Sequence, residues 1–66
     1  MRVQINGETR DVPLGLNLEA LLEHLSLPQQ RVAVELNREV IRKSEWVNQT
    51  VNEDDRIEIV HFVGGG

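Results

Sequence analysis

Hydrophobic and polar residues alternate at the start of the chain and predict a β-hairpin. The apolar residues from Met1 to Ile5 occupy every second position, which places their side chains on one face of a strand. The dipeptide Asn6-Gly7 follows at once, and these residues best tolerate the positive φ angles of a tight hairpin turn. The return strand, residues 8–12, has one aliphatic residue and ends before a proline, which suits a weakly buried sheet edge.

Four leucines at spacings of three, one and three predict an amphipathic helix over residues 17–25. They are Leu18, Leu21, Leu22 and Leu25. Asn17 is a good N-cap, and Pro28 disfavours helical backbone before it and so closes the segment. A single stripe of leucines needs a sheet to cover it, so we expect the helix to pack on the hairpin.

The second half of the chain predicts three more extended segments. They are the alternating strand from Val32 to Leu36, the short pair Val40-Ile41 after a turn at Asn37-Arg38, and a last strand over residues 56–63. Residues 42–52, which precede the last strand, are expected to be mostly irregular. Trp46 in this segment is expected to fold back and cap the lower end of the core. The carboxylates of residues 53–55 predict a solvated turn.

The predicted fold class is α+β, a mixed sheet of four to five strands that packs on one helix and leaves its other face open. The first and last strands both have short aliphatic faces, and the long connection between them allows parallel pairing. The strand and helix periods converge on a predicted core of Val3, Ile5, Leu18, Leu21, Leu22, Leu25, Val32, Val34, Leu36, Ile57 and Ile59.

Composition excludes several classes of function. The 66 residues suffice for one small domain, and the absence of cysteine removes a disulfide framework. A net charge of -4, one Trp and one Phe argue against a nucleic-acid partner. No apolar run approaches the roughly 20 residues that span a bilayer, so we expect a soluble cytoplasmic protein without a membrane partner. His24 and His61 lie too far apart to predict a metal site, and Ser26 and Ser44 lack a histidine at motif spacing.

The order of elements, the Asn6-Gly7 turn, the leucine helix and the strand that leads into Gly64-Gly65-Gly66 resemble the ubiquitin-like β-grasp sulfur carriers of thiamine biosynthesis. The resemblance covers the whole chain. It implies a β-grasp domain over residues 1–63 and a flexible glycine tail over residues 64–66. Asp54 stands where the resemblance leads us to expect glycine in the turn before the last strand.

The resemblance implies a carrier that is not itself an enzyme. An E1-like adenylating partner consumes ATP to activate the carboxylate of Gly66, and a persulfide donor supplies sulfur to form a thiocarboxylate. A thiazole synthase then takes this sulfur for the thiazole ring of thiamine. Gly64, Gly65 and Gly66 enter the active site of the partner, while the carrier binds no cofactor or metal of its own and is a monomer when alone.

The face of the last strand that points away from the helix is a candidate partner-binding surface. Val60, Phe62 and Ala33 are expected on this face, and the carboxylates of Glu58 and Glu35 would steer a basic partner. In a second interpretation these are ordinary exposed apolar residues and Phe62 folds over the sheet edge.

Two other functions stay open at this point. A related β-grasp carrier could serve molybdopterin synthesis or another thiocarboxylate pathway. A ubiquitin-like binding module would instead use the open sheet face and have an inert tail, since chain ends are commonly disordered.

Overall fold

A computed structural model describes residues 1–63, which form a five-stranded mixed sheet with one α-helix. The strands are β1 (Arg2–Ile5), β2 (Glu8–Asp11), β3 (Val32–Leu36), β4 (Glu39–Ile41) and β5 (Arg56–His61), and helix α1 is Leu18–His24. Their order in the sheet is β2-β1-β5-β3-β4, with β1 parallel to β5 and the other neighbours antiparallel. The predicted fold class and the parallel pairing are confirmed. The predicted tail, residues 64–66, lies outside the described residues, so that domain boundary stays a prediction.

The first hairpin turn has the predicted backbone and also binds β5. Asn6 and Gly7 have φ angles of 51° and 82°. The Asn6 side chain accepts a hydrogen bond from the Ile59 N–H at 2.7 Å and donates one to the Ile59 carbonyl at 3.2 Å. The amide thus takes the place of a strand neighbour for β5 at the point where β1 has ended.

The second hairpin turn has the same backbone form with a different residue pair. Asn37 and Arg38 have φ angles of 51° and 73°. Asn37 holds the turn against β5, because its side-chain oxygen accepts from the Arg56 N–H at 2.9 Å and its backbone N–H donates to the Arg56 carbonyl at 2.7 Å. Asp54, with a φ of 67°, adopts the left-handed backbone that a glycine would favour at the turn before β5.

The helix begins and ends at hydrogen-bonded caps. The Asn17 side chain accepts from the Ala20 N–H at 2.7 Å, as an N-cap should. At the other end Ser26 has a φ of 58°, and the N–H groups of Ser26 and Leu27 donate to the carbonyls of Glu23 and Leu22. This left-handed cap, rather than Pro28 alone, ends the helix.

The core sits between the sheet and α1, with Trp46 at one end. The buried apolar residues are Val3, Ile5, Val12, Leu18, Leu21, Leu22, Val34, Leu36, Trp46, Val51 and Ile57. Leu25, Val32 and Ile59 were predicted in this set but are only partly buried. Each of the three lies at an end of the packed layer: Leu25 caps the helix, Val32 begins β3, and Ile59 lies beyond the end of β1.

The segment expected to be mostly irregular contains a 3₁₀ helix, Lys43–Asn48, so that prediction is wrong. Trp46 in this helix is 1% exposed and donates from Nε1 to the Ile41 carbonyl at 2.9 Å, which confirms that it caps the core. Val51 is buried, and its N–H donates to the Leu16 carbonyl at 2.9 Å, which ties this segment to the residues just before the helix. The last strand ends at His61, two residues earlier than predicted.

Candidate functional site

The sheet face opposite α1, called the open face below, brings together four of the predicted partner-binding residues. In the pairing of β3 with β5, Ala33 lies opposite Val60 and Glu35 lies opposite Glu58. Directly opposed side chains have Cβ atoms about 5 Å apart. Ala33 and Val60 are exposed, and the two glutamates are half-buried. The sequence therefore placed these residues on the correct face.

Phe62 continues the open face at the end where β5 leads toward the glycines. Its N–H donates to the Arg31 carbonyl at 2.8 Å, which extends the pairing with the β3 side of the sheet beyond the last strand residue. Phe62 is 46% exposed and Val63 is 89% exposed. Phe62 is therefore outside the core and is held by its backbone, with its side chain open to a partner.

The opposed pair Glu35 and Glu58 concentrates negative charge in the middle of the open face. Like charges directly opposed across two strands cost the fold about 0.2–1 kcal/mol. A partner with basic side chains would relieve this repulsion on binding, since its charge would replace water next to both carboxylates. The expectation that these carboxylates steer a basic partner stays a prediction.

The sequence did not predict two further residues of the open face, Val40 and Arg38. Val40 lies opposite Glu35 in β4 and is 71% exposed. It was paired with Ile41 as one apolar unit, although the period of two allows only one of them to face the core. Arg38 lies beside Glu35, Arg56 and Glu58 at a shallow depression, and its position depends on a turn that sequence spacing does not orient.

The described residues contain no other obvious chemical centre. Within residues 1–63 no helix is long and apolar enough to cross a membrane, and no three His, Cys, Asp or Glu side chains cluster as metal ligands would. His24 and His61 lie on different elements, α1 and β5. The predicted modification site, Gly66, and its neighbours Gly64 and Gly65 lie outside the described residues.

Comparison with known proteins identifies relatives over the whole chain. The model of the ThiS family matches residues 3–66. The sulfur carrier protein ThiS of Bacillus subtilis is 43% identical, with 97% of this chain and 98% of that protein covered. The thiazole synthase of Paramagnetospirillum magneticum is 44% identical, and the match covers all of this chain. The chain spans about a fifth of the length of that synthase, which is 20% covered.

The fold has a counterpart of known structure. The crystal structure of the thiamine biosynthesis protein ThiS from Geobacter metallireducens superposes with a TM-score of 0.87 at 36% identity, with both chains fully covered. This match confirms the predicted ubiquitin-like β-grasp fold. ThiS family proteins are small sulfur carriers rather than catalysts. On the family match and on the full-length likeness in sequence and structure, the chain belongs to the ThiS family.

Proposed function

We propose that this chain carries sulfur in thiamine biosynthesis on the carboxylate of Gly66. An E1-like adenylating enzyme joins this carboxylate to AMP with release of pyrophosphate from ATP. The outer sulfur of a persulfide donor then attacks the acyl carbon and displaces AMP, which forms an acyl disulfide. A thiol attacks the donor-side sulfur of this disulfide, so that the S–S bond breaks, the thiocarboxylate leaves and the thiol is oxidised to a disulfide with the donor. A thiazole synthase receives the sulfur of the thiocarboxylate. The chain is a co-substrate in this scheme, and it requires Gly66 to be the last residue of the acting form.

The observation that carries the proposal is the exposed apolar end of the open face directly before three glycines. Val60 and Phe62 are exposed on this face, and Val63, which follows them, is 89% exposed. β5 is paired with β1 at its start and with β3 from Ile57 to His61. Three extended residues beyond Val63 span about 10 Å. A rigid body can therefore dock outside a narrow active site while a thin segment without Cβ atoms enters it.

The chemistry explains why glycine suits the modified position. A carboxylate is a poor electrophile until one oxygen becomes part of a good leaving group, so activation by adenylation must precede attack by sulfur. Glycine leaves the acyl carbon open to the incoming sulfur because no side chain stands beside it. The reaction needs no side chain of this protein as an acid, base or nucleophile.

Two partners follow from the open face and from the relatives. The carboxylates of Glu35 and Glu58 favour a partner with a basic surface around an apolar centre, and we assign this role to the adenylating enzyme. A thiazole synthase of Paramagnetospirillum magneticum includes a region that is 44% identical to this chain, which supports a thiazole synthase as the acceptor.

Intact-mass measurement tests the proposal. The chain is incubated with ATP, the adenylating enzyme of the same organism and a persulfide donor, and a control reaction omits ATP. We expect a mass increase equal to the exchange of one oxygen for one sulfur, only with ATP present, and fragmentation should locate it on Gly66. No increase with the thiamine enzyme, but an increase with a molybdopterin adenylating enzyme, would favour the related carrier. No increase with either enzyme would favour a binding module.

A further inference from the structure

Residues 57, 59 and 61 of β5 direct their backbone groups to the side of the sheet where β1 lies. The Ile57 carbonyl accepts a hydrogen bond from the Asn6 N–H at 2.9 Å. Both backbone groups of Ile59 bind the Asn6 side chain, at 2.7 and 3.2 Å. Successive strand residues direct their backbone groups to opposite neighbours, so His61 faces the same side as Ile59. His61 lies beyond the part of β5 that β1 and Asn6 bind.

The hydrogen bonds on the β3 side lead to the same orientation of His61. His61 lies opposite Val32, and just beyond this pair the Phe62 N–H donates to the Arg31 carbonyl at 2.8 Å. A flanking bond of this kind marks a pair that has no hydrogen bonds of its own, so the backbone groups of His61 point away from β3. On the side of β1, neither the first hairpin turn nor any side chain within residues 1–63 binds them.

The sheet is therefore open beside residues 61–63 on the side of β1, and this boundary is called the open edge below. β1 ends at Ile5, and the chain turns into β2, which lies on the far side of β1 from β5. A neighbouring strand at the open edge would lie about 4.8 Å from β5, in line with β1. His61 is exposed and Val63 is 89% exposed. An unpaired strand edge is a template for pairing with another chain.

We infer that the open edge binds an extended segment of the adenylating enzyme as an added strand, with backbone hydrogen bonds to the N–H and carbonyl of His61. The inference rests on the proposed function. An extended backbone carries donors and acceptors at the spacing of a strand edge, and it pairs with that edge largely independently of its side chains. The occupant is therefore defined by its backbone conformation and not by a charge or a particular residue.

The distance to the terminal carboxylate assigns this segment to the adenylating enzyme. His61 lies five residues before Gly66, so the carboxylate is at most about 18 Å from it. An enzyme that encloses the glycines thus extends to the neighbourhood of the open edge. Backbone pairing at His61 would hold the chain in line with β5 where it enters the active site.

A pair of variants at one position tests the role of the His61 N–H. His61→Pro removes this N–H and places a ring at the open edge, whereas His61→Ala removes the same side chain and keeps the N–H. Calorimetry measures the Kd of each with the adenylating enzyme of the same organism. We expect His61→Pro to bind about tenfold more weakly than His61→Ala, because one backbone hydrogen bond is lost. A synthetic chain with an N-methyl group on His61 keeps the imidazole and should show the same loss against the parent.

Melting temperatures separate the open edge from the paired side of β5. Proline is tolerated in a sheet where the N–H it replaces has no strand neighbour, so His61→Pro should melt close to His61→Ala. Phe62→Pro removes the hydrogen bond to the Arg31 carbonyl and should melt about 4 °C below the parent. If His61→Pro melts lower than Phe62→Pro, the His61 N–H is paired within the sheet and the inference is wrong.

Amide hydrogen exchange gives a direct readout of the added strand. In the chain alone the His61 amide should exchange faster than the Phe62 amide, because only the latter is bound. Addition of the adenylating enzyme without ATP should slow exchange at His61 at least tenfold. Slower exchange at His61 on raising the concentration of the chain alone would make the occupant a second copy and overturn the assignment to the enzyme.

Failure of the inference can be told from failure of the proposed function. If the parent gains sulfur on Gly66 while exchange at His61 is unchanged by the enzyme and His61→Pro binds as His61→Ala does, the open edge has no role and the proposed function stands. If the parent neither binds the adenylating enzyme nor gains sulfur, the proposed function fails and the inference fails with it.

Discussion

At the scale of single residues, asparagine side chains form hydrogen bonds with backbone groups of β5 that the short neighbouring strands do not reach. Asn6 and Ile59 are 53 positions apart in sequence, yet the amide satisfies both backbone groups of Ile59. Asn37 does the same for Arg56, partly with its own backbone. Both residues also tolerate the left-handed φ that their turns require. One residue type thus supplies turn geometry and long-range pairing together.

Removing the Asn6 amide should therefore cost more than an exposed turn residue normally would. We expect Asn6→Ala to lower the free energy of unfolding by about 1–2 kcal/mol, because two hydrogen bonds to β5 are lost and alanine resists a φ of 51°. Asn6→Asp keeps the acceptor for the Ile59 N–H and loses only the donor, so its cost should be smaller. Urea unfolding measures both, and equal stability of Asn6→Ala and the parent would contradict this role.

At the scale of elements, the leucines of α1 differ in burial along the length of the helix. Leu22 is 1% exposed and contacts the centre of the core, whereas Leu25 caps the helix and is only partly buried. Helical spacing puts both residues on the same face, and Leu25 is less buried because it lies at the end of the helix, where the packed layer also ends. The same reasoning explains Val32 and Ile59 at the sheet ends.

Alanine substitution should make this difference measurable. Leu22→Ala should lower the free energy of unfolding by about 2–5 kcal/mol, because it leaves a cavity where few neighbours can collapse. Leu25→Ala is the matched control and should cost less than half as much. Fluorescence of buried Trp46 during urea unfolding provides the readout, since this is the only tryptophan of the chain. Equal costs for the two variants would mean that the helix packs differently.

At the scale of the whole molecule, the sequence predicted the sheet and the helix that packs on it, but it did not predict several features whose position depends on turns and loops. Alternation along the strands and the leucine stripe sufficed for the sheet, the helix and the open face with Ala33 and Val60. Val51 is tied to the distant Leu16 carbonyl by its N–H, and the 3₁₀ helix around Trp46 is held by short-range hydrogen bonds, neither of which an alternating or helical hydrophobic period reports. Arg38 was missed because its turn had to be oriented before its side chain could be placed on a face.

The open face should act in binding and not in folding. Phe62→Asp places a charge at its apolar end, so it should weaken binding to the adenylating enzyme at least tenfold, because the partner must desolvate that charge. The melting temperature should change little, since Phe62 is already 46% exposed. Leu14→Asp is a matched control, because Leu14 is 79% exposed in the loop before α1. Phe62→Asp with parental affinity would make Phe62 an ordinary surface residue, and loss of folding would place it in the core.

The position of the terminal carboxylate should decide whether the molecule can accept sulfur at all. Deleting Gly66 moves the carboxylate about 3.5 Å toward the domain, and appending one residue moves it outward, so both variants should fail to form the thiocarboxylate. Gly66→Ala keeps the reach but adds a Cβ beside the acyl carbon, and it should react more slowly. All three should melt as the parent does, because changes to terminal residues rarely alter folding stability. Intact mass after incubation with ATP, the adenylating enzyme and a persulfide donor provides the readout. An extended chain that gains sulfur without prior cleavage, as fast as the parent, would exclude the terminal carboxylate as the carrier group and leave the binding module in its place.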